Sequence, residues 1–374
     1  MHLSLDFFLL CLELSAANLV MASMLLFTLK ISYNRKANLV FGIFLLTLAA
    51  NSLGGVLVTN QFFNYFPHLI GYDFFLLLLQ GPLLYFYILY QTRHEYRLRL
   101  RHLLHLLPLV GYFILLGHFF TAGGAVKLAY LKNMVSIPHF LLAEYFVKFQ
   151  HFVYLIACYR LLLRHDKAIR ELVSSVKHRN LRWLRNLLLI EVISFFAWIV
   201  IFKLISQELF GVVSLVLSYC ISYYAITQKY LFANVRTEQI VPILEEAPAV
   251  RYRNSTLTGD DILTYKKQIE QYVSENKPYL NPDLTLTTLA EQLELNPHHL
   301  SQVLNEGLGE SFYKFINRYR VEESKRLLLD PAFKHYSILA IANEAGFSTK
   351  TTFNKTFKEH FGISPSEFRK NNIL

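Results

Sequence analysis

Hydrophobic and polar positions alternate along this chain on two scales, and the change falls near residue 231. Before it, seven long apolar runs are separated by short polar stretches: 5–29, 38–58, 69–90, 103–120, 140–163, 187–205 and 209–231. A helix needs about 20 mostly apolar residues to cross a bilayer core. One such run could lie in a soluble core, but seven in series with polar loops predict a helical bundle in lipid. Beyond them, apolar positions recur at helical spacing in short segments, each with start and stop signals. The expected fold is all-α: an N-terminal seven-helix transmembrane bundle over 1–233, then a C-terminal domain of small helices over 260–374.

Residues 234–259 read as a cytoplasmic connector, with Pro242, Pro248 and mixed charge. The run 260–275 places Ile262, Leu263, Ile269 and Val273 at helical spacing, with Asp260 and Asp261 where the helix dipole favours them. It is either the first helix of the next domain or a coupling or dimerisation element. Thr285 can cap a helix ending at Leu293, and Asn296-Pro297 supplies a cap and an entry proline for a second that stops near Gly307. A longer helix spans 311–329. Ser337 caps a short helix ending at Gly346, and Ser348 or Thr349 starts one ending at Gly362. Ser364 to Glu367 form a capping box around Pro365. The order is helix-turn-helix, a long connecting helix, then helix-turn-helix and a closing helix.

Charge decides the orientation of the apolar part. Mean hydropathy is +0.31 and charged residues make up 17%, well under the roughly 25% of soluble domains. The net +10 resides almost wholly in residues 1–250, which carry +9. The basic balance is therefore no sign of nucleic-acid binding in itself. Loops one, three and five, counted with Arg160 near the end of the fifth span, hold 15 Lys and Arg, whereas loops two, four and six hold 2. By the positive-inside rule the N-terminus faces outward and the C-terminal domain is cytoplasmic. The N-terminus lacks a basic segment and a cleavage site, so no cleaved signal peptide is expected.

Candidate chemistry in the apolar part is a set of polar groups within spans, each costly in lipid. They are Glu13, Asp73, Glu144, Lys148, Glu191 and Lys203, with Gln80, His118 and His151 as companions. Under the predicted topology, Glu13, Asp73, His118, Glu144 and Lys203 fall in the outer half of their spans. One reading is a polar, outward-open sensing cavity, with Glu13, Asp73, Gln80, His118, Glu144 and Lys148 as its ligand-facing candidates. The other is ordinary structural pairing. Glu144 and Lys148 stand four apart in the favourable order. Cys11, Cys158 and Cys220 lie within apolar runs at spacings that match no metal site or disulfide framework. No catalytic motif of the metalloprotease, serine-hydrolase or phosphate-loop type occurs. An enzyme is not expected, and neither a metal nor a cofactor is implied.

The stretch 341–369 resembles the signature of AraC-type (AraC/XylS) transcription regulators. The matching positions are Ile341, Ala342, Gly346, Phe347, Phe353, Phe357, Lys358, Gly362, Pro365, Phe368 and Arg369. Upstream, Leu289-Ala290, HLSQVLNEGLG and FINRYRVEESKRLL agree as well. The resemblance covers roughly 265–372 and implies two homeodomain-like helix-turn-helix units that read double-stranded promoter DNA. It points to His298, Ser301 and Gln302 as base-facing in the first unit, and to Lys350, Thr351 and Lys355 in the second. Helical spacing assigns Phe347, Phe353 and Phe357 to the core. The opposite polar faces add Asn305 to the first set and Asn354 and Lys358 to the second.

The connecting helix rises about 28 Å, which suits two recognition helices set one DNA turn, roughly 34 Å, apart. Phosphate attraction favours the second unit: residues 251–310 carry a net −4 and 311–374 a net +5. The reading is a one-component regulator in the bacterial inner membrane. Its expected partners are the lipid bilayer, promoter DNA, an unknown small-molecule or membrane signal and RNA polymerase, with a homodimer as a further option. Activation follows from the family alone. The alternatives are a transporter or receptor whose C-terminal domain is a scaffold, and a regulator freed by proteolysis of the connector.

Overall fold

The structure is a computed structural model that describes residues 2–28, 34–92, 96, 98–133, 138–174, 182–199, 206–227 and 257–372. These residues are helical apart from turns and one isolated bridge between Val173 and Thr285. Two compact units emerge, Met1–Leu163 with Leu181–Ala233, and Arg164–Asn180 with Asn234–Leu374. Lys203 and most of the predicted connector, 234–256, lie outside the described residues.

The first unit contains α1 (His2–Thr28), α2 (Arg35–Thr59), α3 (Tyr72–Thr92), α4 (Leu107–Leu115), α5 (Gly117–Phe120), α6 (Gly124–Asn133), most of α7 (Pro138–Leu172), α8 (Arg182–Ile199) and α9 (Gln207–Thr227). Small and polar residues tie these helices together. Ser23 Oγ donates to the Gly42 carbonyl at 2.9 Å, tying α1 to α2. Asn18 Nδ2 donates to Ser218 Oγ at 3.3 Å and Ser222 Oγ at 3.0 Å, tying α1 to α9. Phe41 stacks on Tyr87 at 4.1 Å between ring centroids, in a core that also holds Leu45, Leu84, Trp183 and Leu184.

Five helices among the described residues are long and apolar enough to cross a membrane: Leu5–Thr28, Arg35–Thr59, Pro67–Thr92, Pro138–Glu171 and Gln207–Ile226. The predicted span 103–120 is not one helix. It divides into a 3-10 stretch, Leu100–Leu106, then α4 and α5. Pro108 stands near the start of α4. A proline ring clashes with the carbonyl four residues back and donates no N–H, which favours a helix start at this position, although α3 does continue through Pro82. The helix within the predicted span 187–205 is Arg182–Ile199, and residues 200–205 lie outside the described residues.

The second unit contains α10 (Gly259–Asn276), α11 (Leu286–Gln292), α12 (Pro297–Gln302), α13 (Phe312–Leu329), α14 (Ile338–Glu344), α15 (Lys350–Phe361) and α16 (Pro365–Asn372), with the end of α7. Its boundaries are written in caps. Thr258 and Asp261 form a capping box at α10. The side chains of Thr285, Asn296, Ser311, Ser337 and Thr349 each accept from an amide in the first turn of α11 to α15. Each such cap stabilises its helix by about 1 kcal/mol. Gly362 closes α15 in the left-handed conformation at φ +80°.

Two cores lie along α13. The first packs Ile269, Val273, Leu289, Leu300, Val303, Leu304, Phe312, Phe315 and Ile316. The second packs Val321, Leu327, Ile341, Ala342, Phe347, Phe353 and Phe357. Gly346, in the turn between α14 and α15, has φ +84°, and a Cβ there would stand 2.3 Å from the Tyr279 carbonyl oxygen. The second helix-turn-helix thus rests through a bare glycine on the loop that precedes the first.

Candidate nucleic-acid interface

Each helix-turn-helix has a short first helix, a turn and a recognition helix, but the recognition helices differ in what they expose. In α15, Phe353 and Phe357 are fully buried, so the remaining faces are fixed outward. Lys350, Lys355 and Lys358, with Thr351, are exposed, three cations within about 12 Å of helix length. Lys355 lies 3.7 Å from Glu359, with both side chains well exposed, an arrangement in which water screens the pair. Asn354 is half-buried, and its Oδ1 has no hydrogen-bond partner among the described residues.

In the first unit, α12 continues into a π turn, Val303–Gly307. His298 is exposed and Asn305 half-buried. Ser301 and Gln302, expected to face bases, are buried at 1% and 6% exposure. Gln302 Nε2 donates to Glu306 Oε2 at 2.7 Å, and Asn305 Nδ2 donates to the Ser301 carbonyl at 2.8 Å. In this arrangement Ser301 and Gln302 are packed inside, and of the four candidates of the first unit His298 and Asn305 are the more accessible.

The connecting helix α13 has 18 residues, a rise of about 27 Å. Several of its polar residues are tied down. Glu323 accepts from Arg326 Nη2 at 2.8 Å and lies 3.5 Å from Lys277 Nζ. These hydrogen bonds, led by that from Arg326, hold its carboxyl below the usual glutamate value. Arg320 is 1% exposed, and burial pushes its guanidinium down to about 10, still charged at neutral pH.

The first unit holds a half-open cavity of about 700 Å³ between α1, α2, α3, α7, α8 and α9. That volume is typical for a small-molecule site. Its lining is mainly apolar, with Asn51, Asp73, Gln80, His151 and Glu191 among its polar members. Of the sensing candidates, Asp73 and Gln80 line it. Glu13 and His118 do not; the His118 ring lies 5.2 Å from that of His139. Glu144 and Lys148 pair with each other along α7 and do not line the cavity. Gln80 Nε2 and Glu191 Oε1 are buried without a hydrogen-bond partner among the described residues. Their place within apolar spans marks Glu191 and His151 as costly polar residues, but nothing local in the sequence shows that they converge with Asp73 and Gln80. No cluster of three or more potential metal-ligating residues occurs among the described residues.

Two capped helix-turn-helix units joined by a rigid helix, with a cationic recognition face, define a DNA-binding class. Residues 289–371 match the family described as Helix-turn-helix domain. An uncharacterised HTH-type transcriptional regulator of Staphylococcus aureus (strain COL) is 28% identical over 130 residues, 35% of this chain and 16% of that protein. The Msm operon regulatory protein of Streptococcus mutans serotype c is 28% identical over 131 residues, 35% of this chain and 44% of its own. The matches thus span less than half the length of these relatives. A solved Listeria innocua protein of unknown function is 28% identical over 29% of this chain and 96% of its own, with a TM-score of 0.26. The C-terminal unit thus contains a region that matches a helix-turn-helix domain and is similar to part of HTH-type transcriptional regulators, and it follows a series of long apolar helices.

Proposed function

We propose that this chain is a membrane-embedded one-component transcriptional regulator. Its second helix-turn-helix anchors it on promoter DNA, and its apolar unit senses a small molecule. The carrying observation is the exposed cationic face of α15, with Lys350, Lys355 and Lys358 standing over a phenylalanine core. Such a face gives phosphate attraction from the lysines and base-edge contacts from Lys350, Thr351 and Lys355. His298 and Asn305 supply the contacts of the first unit. No chemistry on a substrate is involved.

Membrane embedding is supported by what the apolar unit leaves uncovered. On α1, Phe7, Leu10, Leu14, Met21 and Met24 are each between 44% and 60% exposed, a face that water would penalise and lipid tails accept. The excess of Lys and Arg in loops one, three and five orients the C-terminal domain toward the cytoplasm, where DNA is reached. Sensing is supported by the cavity. A buried donor on Gln80 and a buried acceptor on Glu191, both unpartnered among the described residues, are stabilised by a ligand that offers an acceptor and a donor on an apolar body. Such a ligand acts by binding two packing states of the bundle unequally. A homodimer and contact with RNA polymerase complete the reading.

The test is genome-wide mapping of sites bound by the full-length chain, repeated with Asp73→Ala and Glu191→Gln. The expected result is an unchanged set of sites whose occupancy no longer responds to growth conditions. Absence of any preferred site sinks the regulator; an unaltered response sinks the sensing cavity.

A further inference from the structure

The residues that follow the predicted fifth span do not behave as a loop. Helix α7 continues to Leu172, well past the predicted end of the span at 163, and its last part clusters with the second unit. There Ile169 and Val173 are buried in the core of the first helix-turn-helix, beside Leu284, Leu286, Leu289 and Phe315. The Arg170 guanidinium lies 5.4 Å above the Tyr313 ring. Val173 bridges Thr285 in antiparallel register, and Thr285 is the cap of α11.

Ser174 completes the attachment. Its amide and its hydroxyl both donate to the Leu284 carbonyl, at 3.3 and 2.6 Å. The buried Arg320 guanidinium donates to the Ser174 carbonyl through Nη1 at 2.9 Å and to Ser174 Oγ through Nη2 at 3.0 Å. Its other partners are the Tyr279 and Asn281 carbonyls, both at 2.7 Å, and Asn317 Oδ1 at 3.3 Å. Asn317 Nδ2 also donates to the Ser174 carbonyl, at 3.3 Å. A buried cation deprived of acceptors is strongly penalised. If the segment withdraws, Arg320 loses Ser174 while two apolar side chains enter water. Both effects favour the docked state.

We propose that residues 164–174 form a clamp: the end of the helix that carries the fifth predicted span is built into the core of the first helix-turn-helix, a link that does not run through the connector. It rests on the reading of the chain as a membrane-embedded DNA-binding regulator. Movement of the fifth span then reaches the cap of α11 and the core behind α12 through one continuous helix. The connector is not the sole route for the signal.

The test uses the full chain in membranes, with a site-specific protease sequence placed at Glu246. After cleavage the clamp keeps the C-terminal fragment with the membrane pellet. Ile169→Asp with Val173→Asp raises the released fraction by about tenfold, the scale of a typical coupling. A second variant guards against mere misfolding. In Val173→Cys/Thr285→Cys, mild oxidation joins the two fragments on a non-reducing gel, as the geometry of facing bridge residues allows; Val173→Cys/Thr351→Cys does not. Release of the wild-type fragment on cleavage, or absence of the 173–285 cross-link, overturns the clamp. An uncut chain that fails to sediment with membranes overturns the membrane reading instead. The cross-link reads the clamp in either case.

Discussion

The two helix-turn-helix units share one plan of caps and turns, yet they present opposite chemistry. The second exposes Lys350, Lys355 and Lys358 over a fully buried Phe353 and Phe357. The first buries Ser301 and Gln302, exposes His298, and lies in a stretch with a net charge of −4. Among the described residues, only the first takes part of its core from outside the C-terminal sequence, through Ile169 and Val173. On the proposed function, the contrast separates two tasks. A cationic unit that is complete by itself suits constant affinity, because phosphate contacts do not depend on sequence. An acidic unit whose core depends on a distant segment suits regulation, because its completeness can change.

Core substitutions break this comparison most strongly. Phe353→Ala empties the centre of the second core and should cost about 3–5 kcal/mol, by urea-dependent pulse proteolysis of the C-terminal unit. DNA binding is then lost at all sites. Leu300→Ala, fully buried in the first core, should cost about 2–5 kcal/mol but leave residual binding through α15. Equal loss of binding in both variants contradicts the division of tasks. Gly346→Ala meets both a positive φ and the Tyr279 carbonyl, and should cost roughly 2–3 kcal/mol in the same assay.

Smaller effects sharpen it. Ser337→Ala and Thr285→Ala each remove a helix cap worth about 1 kcal/mol. The Thr285 change should also weaken docking of Val173, so its effect on DNA binding should be confined to the first half-site in a footprint. The smallest effect is on acid stability. Glu323 has its pKa depressed in the folded chain, first by the Arg326 hydrogen bond. Its contribution is full above the ordinary glutamate value of 4.5 and is lost as pH falls through the lower folded value. Glu323→Gln should therefore flatten the loss of stability below about pH 4.5 and leave its pH dependence near neutrality unchanged. An unaltered acid profile removes Glu323 from the account.

Much of the C-terminal unit was legible in the sequence because its signals are local. Thr285, Asn296-Pro297, Ser337 and Ser364 mark helix starts within a few residues, and each makes the expected cap bond; Ser311, expected only as a helix start, caps its helix as well. The phenylalanines at 347, 353 and 357 declared the second core by spacing alone. The apolar unit was legible as apolar helices, but Pro108 divides one predicted span, since hydropathy counts residues without asking whether the backbone can continue. Burial of Ser301 and Gln302 was not legible, because a polar residue on a helix records no information about what packs over it. The Ser174–Arg320 contact joins positions 146 residues apart. A serine in the middle of a basic loop carries no local sign of that partner, and neither do the polar groups that meet in the cavity.

The division of tasks is tested most directly by equilibrium binding of the full chain, in lipid nanodiscs, to a site recovered from genomic mapping, across a range of salt. Lys350→Ala with Lys355→Ala should weaken binding by about 10- to 100-fold and reduce the salt slope by about two, one for each lost phosphate contact. His298→Ala with Asn305→Ala should weaken it by less than about tenfold and leave the salt slope unchanged. Binding that survives the double lysine change with the same affinity and the same slope would contradict the assignment of α15 as the anchor on DNA.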